Sequence, residues 1–376
     1  MAGFERYIAK LTARVENRME NAIDRMRGPR APRHVAAYRG FGTATEVFVS
    51  GRVLANDPPT VASESDSWIR NLHNAYRRLE SDELPGIVVR AALAGVATDA
   101  VTDDEGFFRT WIKLPQPLPR RLWHEGVLHV TPGDAPPIVQ PFHVLTPPPA
   151  AAFGIISDLD DTVVHTRATS PIRMARDILF GNSRTRLPFH GVAAFYRALH
   201  GGTEGDPLNP IFYVSSSPWN LHDFLLEFLQ VRGIPVGPLM LRDWGTERDS
   251  LLPPGHHEHK SASIERVFST YPALSFLLIG DSGQQDPEIY RDIVERHPGR
   301  VLAVYIRDVS LNPIRTAAVH QLAAEVAELG SVMVLVEDTV AAARHAADHG
   351  WIAPERVEAV ARDLMETSEG SDGEVA

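Results

Sequence analysis

The stretch Phe153-Gly154-Ile155-Ile156-Ser157-Asp158-Leu159-Asp160-Asp161-Thr162 runs from apolar residues straight into three carboxylates within four positions. Carboxylates this close repel one another, so a strand end tolerates them best with a cation nearby. An apolar strand that delivers acids to the carboxyl edge of a sheet is also where open α/β folds bind ligands. A set of hard oxygen donors favours Mg²⁺, an ion that usually works on phosphates.

Downstream of this strand the pattern alternates. Strand-like runs at 153–157, 211–215, 274–279, 301–306 and 332–336 are interleaved with helical stretches at 221–232, 261–270, 287–296, 317–329 and 339–349. Such alternation predicts a parallel sheet with helices on both faces. Pro147-Pro148-Pro149 makes a stiff linker ahead of it, so the α/β domain is expected over 151–350, followed by a helix and an acidic disordered tail over 351–376.

Upstream, short β-like runs at 46–54, 86–93, 106–114, 122–130 and 138–145 predict a β-sandwich domain over 35–147. Within it, the segment from Val101 to Phe108 resembles a turn of transthyretin-like and carboxypeptidase-regulatory-like sandwiches. Its acids could hold Ca²⁺, but the favoured reading is a solvated hairpin turn. Residues 1–28 read as one amphipathic helix, with Phe4, Ile8, Leu11, Val15, Met19, Ile23 and Met26 on one stripe and Gly28-Pro29 as its stop. The favoured role is docking on another domain or on a second copy. Contact with an anionic membrane surface through Arg6, Arg14, Arg18 and Arg25 is the alternative.

The 376 residues carry a formal charge of −11, which argues against a nucleic-acid binder but permits an anionic substrate. There is no cysteine, which rules out disulfides, thiolate metal sites and a cysteine nucleophile. No apolar run approaches the roughly 20 residues of a membrane span, and the charged N-terminus does not read as a signal peptide. A cytoplasmic location follows as the expectation, with peripheral membrane contact as an extension of it.

Four segments carry the polar groups from which a site could be built. They are Asp158-Leu159-Asp160-Asp161-Thr162, Tyr213-Val214-Ser215-Ser216-Ser217-Pro218-Trp219, Lys260, and Ile279-Gly280-Asp281-Ser282-Gly283-Gln284-Gln285-Asp286. In this order and spacing they resemble the four motifs of haloacid dehalogenase superfamily phosphatases, and the wording of the second and fourth resembles the actin-patch phosphatidate phosphatase family. The resemblance implies a haloacid-dehalogenase-like Rossmannoid sheet with a small cap and hydrolysis of a phosphomonoester. Asp158 would be the nucleophile, forming an aspartyl phosphate. Asp160 would be the general acid and base. Lys260 would offset charge, and Ser215, Ser216 and Thr162 would face the substrate or brace its loop. Asp158, Asp160, Asp281 and Asp286 would hold Mg²⁺, with Asp286 as a ligand or as an anchor for one. Asp161 acquires no role.

Other readings of these residues are weaker. An EF-hand needs Gly where Val163 stands. His256-His257-Glu258-His259 follows Pro253-Pro254-Gly255 and reads as a loop without partners for zinc, although a headgroup or phosphate contact next to Lys260 is conceivable. Arg173, Arg176, Arg184 and Arg186 suit either a solvated helix face or an anion. The short stretch from Val163 to Pro210 leaves room for a small cap only, hence an open site. The resemblance points to phosphatidate, cleaved to diacylglycerol and phosphate. The alternatives are a soluble metabolite or phosphoprotein as substrate, or a non-catalytic phospholipid-binding module.

Overall fold

A computed structural model describes residues 34–55, 84–131, 136–159, 191–206, 208–242, 256–310 and 312–372. The N-terminal helix expected over 1–28 and the four arginines after the first motif lie outside these residues.

The first domain has eight strands: β1 (His34–Ala37), β2 (Gly40–Gly42), β3 (Glu46–Leu54), β4 (Val88–Leu93), β5 (Val96–Val101), β6 (Phe107–Lys113), β7 (Trp123–Val130) and β8 (Ile138–Leu145). They are hydrogen-bonded in one path, β1-β3-β2-β8-β7-β4-β5, with β6 added to β3. β3 splits one edge between β2 and β1 and gives the other to β6. Alternate residues of β3 point inward (Val47, Val49 and Val53) and meet Val89, Ala91, Leu128, Val130, Phe142 and Val144 from the far end of the path in one apolar core. The sandwich inferred from strand spacing is therefore a single sheet curled over its core, with β5 lying against β6. Strands β1, β2 and β5 were not legible in sequence. β1 and β2 are very short, and β5 is a half-exposed partner of β4 across a two-residue turn in which Ala94 and Gly95 both take positive φ.

The second domain is a six-stranded, all-parallel sheet of β9 (Gly154–Asp158), β10 (Ile211–Pro218), β11 (Leu239–Arg242), β12 (Phe276–Asp281), β13 (Val301–Arg307) and β14 (Met333–Val336). Its order is β11-β10-β9-β12-β13-β14, so the chain reverses direction across β9. The strand side chains alternate between two cores. Ile155, Tyr213, Leu277, Ile279, Ala303 and Tyr305 face one side, under α1 (Val192–Gly201), α2 (His222–Val231), α6 (Thr339–Asp348) and α7 (Glu355–Asp372). Ile156, Phe212, Val214, Leu278, Val304 and Ile306 face the other, under α3 (His256–Thr270), α4 (Asp286–Arg296) and α5 (Pro313–Glu328). Both faces are covered, which is why these strands read as unbroken apolar runs.

Three expectations change. The stretch His256–His259, expected as a loop, is the first turn of α3, so Lys260 lies within the helix rather than ahead of it. α7 runs from Glu355 to Asp372 and so takes up most of the stretch 351–376 that was expected to end in a disordered tail. It also packs on α1 and α6, burying Val360 completely, so the packed unit extends beyond 350. Among the described residues, no helix is long and apolar enough to cross a membrane.

The two domains share a core. Phe41, Leu122 and Leu145 of the curled sheet join the cluster of Phe212, Tyr271 and Phe276 on the α3 face of the parallel sheet. Phe212 lies edge-on to Phe41, with 6.0 Å between ring centroids, and its ring is 5.5 Å from that of Tyr271. Truncating this fully buried ring in Phe212→Ala is expected to cost about 3–5 kcal/mol. Urea unfolding, followed separately in each domain, should show both transitions shifting together.

Candidate active site

The reversal at β9 opens a crevice at the carboxyl ends of β9 and β12, the place where such sheets bind ligands. Asp158 ends β9 and Asp281 ends β12, and both side chains are fully buried. Lys260, on α3, reaches the same point from the sheet face. Its Nζ is 2.8 Å from Asp158 Oδ1 and donates to Asp286 Oδ1 at 2.6 Å and to Gln284 Oε1 at 3.3 Å. Lys260 is only 2% exposed, so its charge is balanced by protein groups rather than by water.

Asp158, Asp281 and Asp286 each present a carboxylate oxygen within 4.8 Å of the others, and among the described residues no other group of three such side chains could hold a metal. One ammonium faces three buried acids. The consequence falls on Asp281, whose carboxyl is pushed up to about 7, first by burial and then by Asp286. Lys260 and the amides of Gln284 and Gly283 oppose that shift without cancelling it. A buried, all-oxygen donor set with an excess of negative charge suits a hard divalent cation.

The β12–α4 loop holds these acids by short bonds. Asp281 Oδ1 accepts from the amides of Gly283 at 2.6 Å and Gln284 at 3.0 Å, and Asp286 Oδ2 accepts from the amide of Asp281 at 3.2 Å. Gly280 makes the last approach feasible, since a Cβ there would lie 2.6 Å from Asp286 Oδ2 and 2.7 Å from Asp286 Cβ. Arg315 of α5 braces the loop from behind. It donates to the carbonyls of Ser282 at 2.7 Å and Gln284 at 2.5 Å and forms a bidentate pair with Glu288. The Ser282 hydroxyl donates to Asp308 at 2.9 Å and accepts from the amides of Val309 and Ser310, tying the loop to the end of β13.

On the other side of β9, the parallel register pairs Val214 with Asp158, so Ser215, Ser216 and Ser217 begin one residue beyond the level of Asp158. All three are buried, and the amide of Ser217 donates to Ser215 Oγ at 3.0 Å. Of the residues singled out in sequence, Asp158, Lys260, Asp281 and Asp286 meet directly, with Ser215 and Ser216 at the adjoining strand end. Asp160, Asp161 and Thr162 lie outside the described residues. His259 is turned toward the backbone of Met240 and Ser215, and burial lowers its pKa. The turn at Asp103 is closed by its own chain, with Asp103 accepting from the amides of Glu105 and Phe107 and pairing with Arg109 at 2.9 Å. Sequence reading missed Gln284, Gly280 and Arg315. The first two stand inside the quoted fourth motif, whereas nothing local marks Arg315.

The fold and this centre define a class: a parallel α/β domain with a buried carboxylate–lysine cluster at its switch point. Residues 153–308 match the family model described as "Phosphatidate phosphatase APP1, catalytic domain". The phosphatidate phosphatase APP1 of Saccharomyces cerevisiae is 31% identical over 176 residues, covering 46% of this chain and 29% of the yeast protein. An uncharacterized protein of Schizosaccharomyces pombe is 30% identical over 160 residues, covering 42% of this chain and 25% of its own length. The chain thus matches less than a third of the length of either relative. Among solved structures, a carbohydrate acetylesterase from Xanthomonas citri aligns over 76% of this chain and 72% of its own at 11% identity, but its TM-score of 0.23 carries no argument.

The raised Asp281 carboxyl has a consequence for stability. Folding favours its protonated form, so the stability that this proton contributes is complete below the unfolded value of 3.8 and is lost as pH rises through about 7. With divalent ions chelated, Asp281→Asn is expected to melt higher than the parent protein at about pH 8, by a margin that shrinks toward about pH 5. Thermal melts of the two proteins across that range measure the difference.

Proposed function

We propose that the chain is a Mg²⁺-dependent phosphatidate phosphatase, releasing diacylglycerol and phosphate through an aspartyl-phosphate intermediate. The observation that carries this reading is the buried Asp158–Lys260–Asp286 contact at the end of β9, inside the segment that matches the phosphatidate phosphatase catalytic domain. The strand order and its reversal at β9 support assignment to the haloacid dehalogenase-like folds, with Asp158 in the nucleophile's place.

In this reading an Asp158 oxygen attacks phosphorus while the bond from phosphorus to the lipid oxygen breaks. Asp160, two residues on, gives its proton to the departing alkoxide. It then takes a proton from the water that hydrolyses the aspartyl phosphate, which returns Asp158 as a carboxylate. Lys260 stands against Asp158, where its charge offsets that of the incoming phosphoryl group. Ser215 and Ser216 supply hydroxyls at the adjoining strand end. Asp281, with Asp158 and the backbone carbonyl of Asp160, is the proposed Mg²⁺ ligand set. Asp286 serves as its anchor, because its two oxygens already accept from Lys260 and from the Asp281 amide. When bound, the ion neutralises the excess carboxylate charge and draws electron density from the phosphoryl oxygens.

Phosphate release from phosphatidate in detergent micelles is the test, run beside soluble sugar and nucleotide phosphates with Mg²⁺ and with chelator. The expected result is Mg²⁺-dependent release from phosphatidate in preference to the soluble esters, lowered by a factor on the order of 10³ or more in Asp158→Asn. Equal rates in the parent and Asp158→Asn would exclude the aspartyl-phosphate route. Preference for a soluble ester would remove the lipid assignment, and no release from any ester would leave a binding module.

A further inference from the structure

Strand β10 does not end freely. Directly after Ser215–Ser217 and Pro218 comes a single 3₁₀ turn, Trp219–Leu221, and the curled β-domain grips that turn. Tyr38, between β1 and β2, stacks on Trp219 with ring centroids 4.3 Å apart and an interplanar angle of 22°. Phe107, at the start of β6, meets the same indole edge-on at 6.2 Å. Arg52 of β3 is only 6% exposed, and its Nη1 donates to Asn220 Oδ1 at 2.9 Å. Its own position is held by a bond from Nε to the Glu105 carbonyl at 2.8 Å and by the face of Phe107 at 4.5 Å.

A buried guanidinium tied on three sides cannot follow a moving partner, so Asn220 is located relative to the β-domain. The turn is joined to the hydroxyl strand end by Pro218 alone, and the Ser217 amide in turn orients Ser215 Oγ. A contact between residues 168 positions apart thus reaches the strand end beside the nucleophile. The Asp158–Lys260–Asp286 contact does not pass through this path.

We propose that the β-domain is a working part of the active site, with Arg52 and Tyr38 as positioning residues that set the Ser215–Ser217 strand end and hence the affinity for the phosphate group. This rests on the reading above, in which those hydroxyls face phosphate. The variants Arg52→Ala, Asn220→Ala and the double variant break one bond from either side, in the full chain with Mg²⁺ present. For a soluble phosphomonoester, each single variant should raise KM, and the inhibition constant of inorganic phosphate, by the same factor of about ten, with kcat changing less. The double variant should be no weaker than either single one, because the second truncation has nothing left to break.

Asn220→Ala, on a half-buried surface turn, keeps the test usable if Arg52→Ala unfolds, and Tyr38→Ala, which removes the stacked ring, should raise KM and the phosphate inhibition constant in the same direction. Unchanged values in Tyr38→Ala would overturn the ring contact as part of this path. Values of KM and phosphate inhibition within about twofold of the parent, or effects that multiply in the double variant, would overturn the proposal. A parent protein that hydrolyses no phosphomonoester would instead overturn the reading on which it rests.

Discussion

The interaction on which the rest of this structure depends is the buried ammonium of Lys260 between Asp158 and Asp286. Removing three carboxylates and one ammonium from water is costly, and opposite charges repay it only when their geometry is tight. The fold meets that requirement by bringing three elements to one point: the end of β9, the loop after β12 and the second turn of α3. Breaking a buried pair of this kind typically costs about 3–5 kcal/mol, because it leaves an uncompensated buried charge. The carboxyl of Asp281, pushed up to about 7 first by burial and then by Asp286, records the cost of gathering these acids away from water.

Around this contact the supporting groups divide into two sets on opposite sides of β9. On the β12 side, Arg315, Ser282 and Asp308 hold the acidic loop, and the bare Cα of Gly280 lets Asp286 approach. On the β10 side, the supports come from the other domain, through Arg52, Tyr38 and Phe107. The β12 side presents negative charge and the β10 side presents hydroxyls. Each side is held by an arginine donating to backbone carbonyls and a side-chain acceptor, a geometry that a flexible lysine would not reproduce.

Legibility in the sequence followed burial. The parallel strands are covered on both faces, so β9, β10, β12, β13 and β14 stand out as apolar runs, and β3 and β8 stand out by alternation. β11 is four residues long and offers too few positions to show a pattern. The first turn of α3 was hidden because His256–Lys260 is polar throughout and follows a Pro-Pro-Gly sequence that signals a loop. Only burial of Lys260, which follows that turn, reveals that the helix begins there. Three of the four motif segments were visible because each departs from an apolar strand into polar residues, and Lys260 stood out only by its place among them.

The sequence by itself determined the strand that ends in Asp158, the alternation that makes a parallel sheet and the acidic, hydroxyl and lysine residues from which the centre is drawn, because periodicity and residue chemistry are local properties. Tertiary structure alone decided which of those residues meet. It gave Asp286 to Lys260 and Asp281, placed Arg315 behind the loop, and turned a separate-looking β-domain into a clamp on Trp219 and Asn220. Those outcomes depend on distances between residues far apart in the chain, which only the packing of the two sheets and their helices sets.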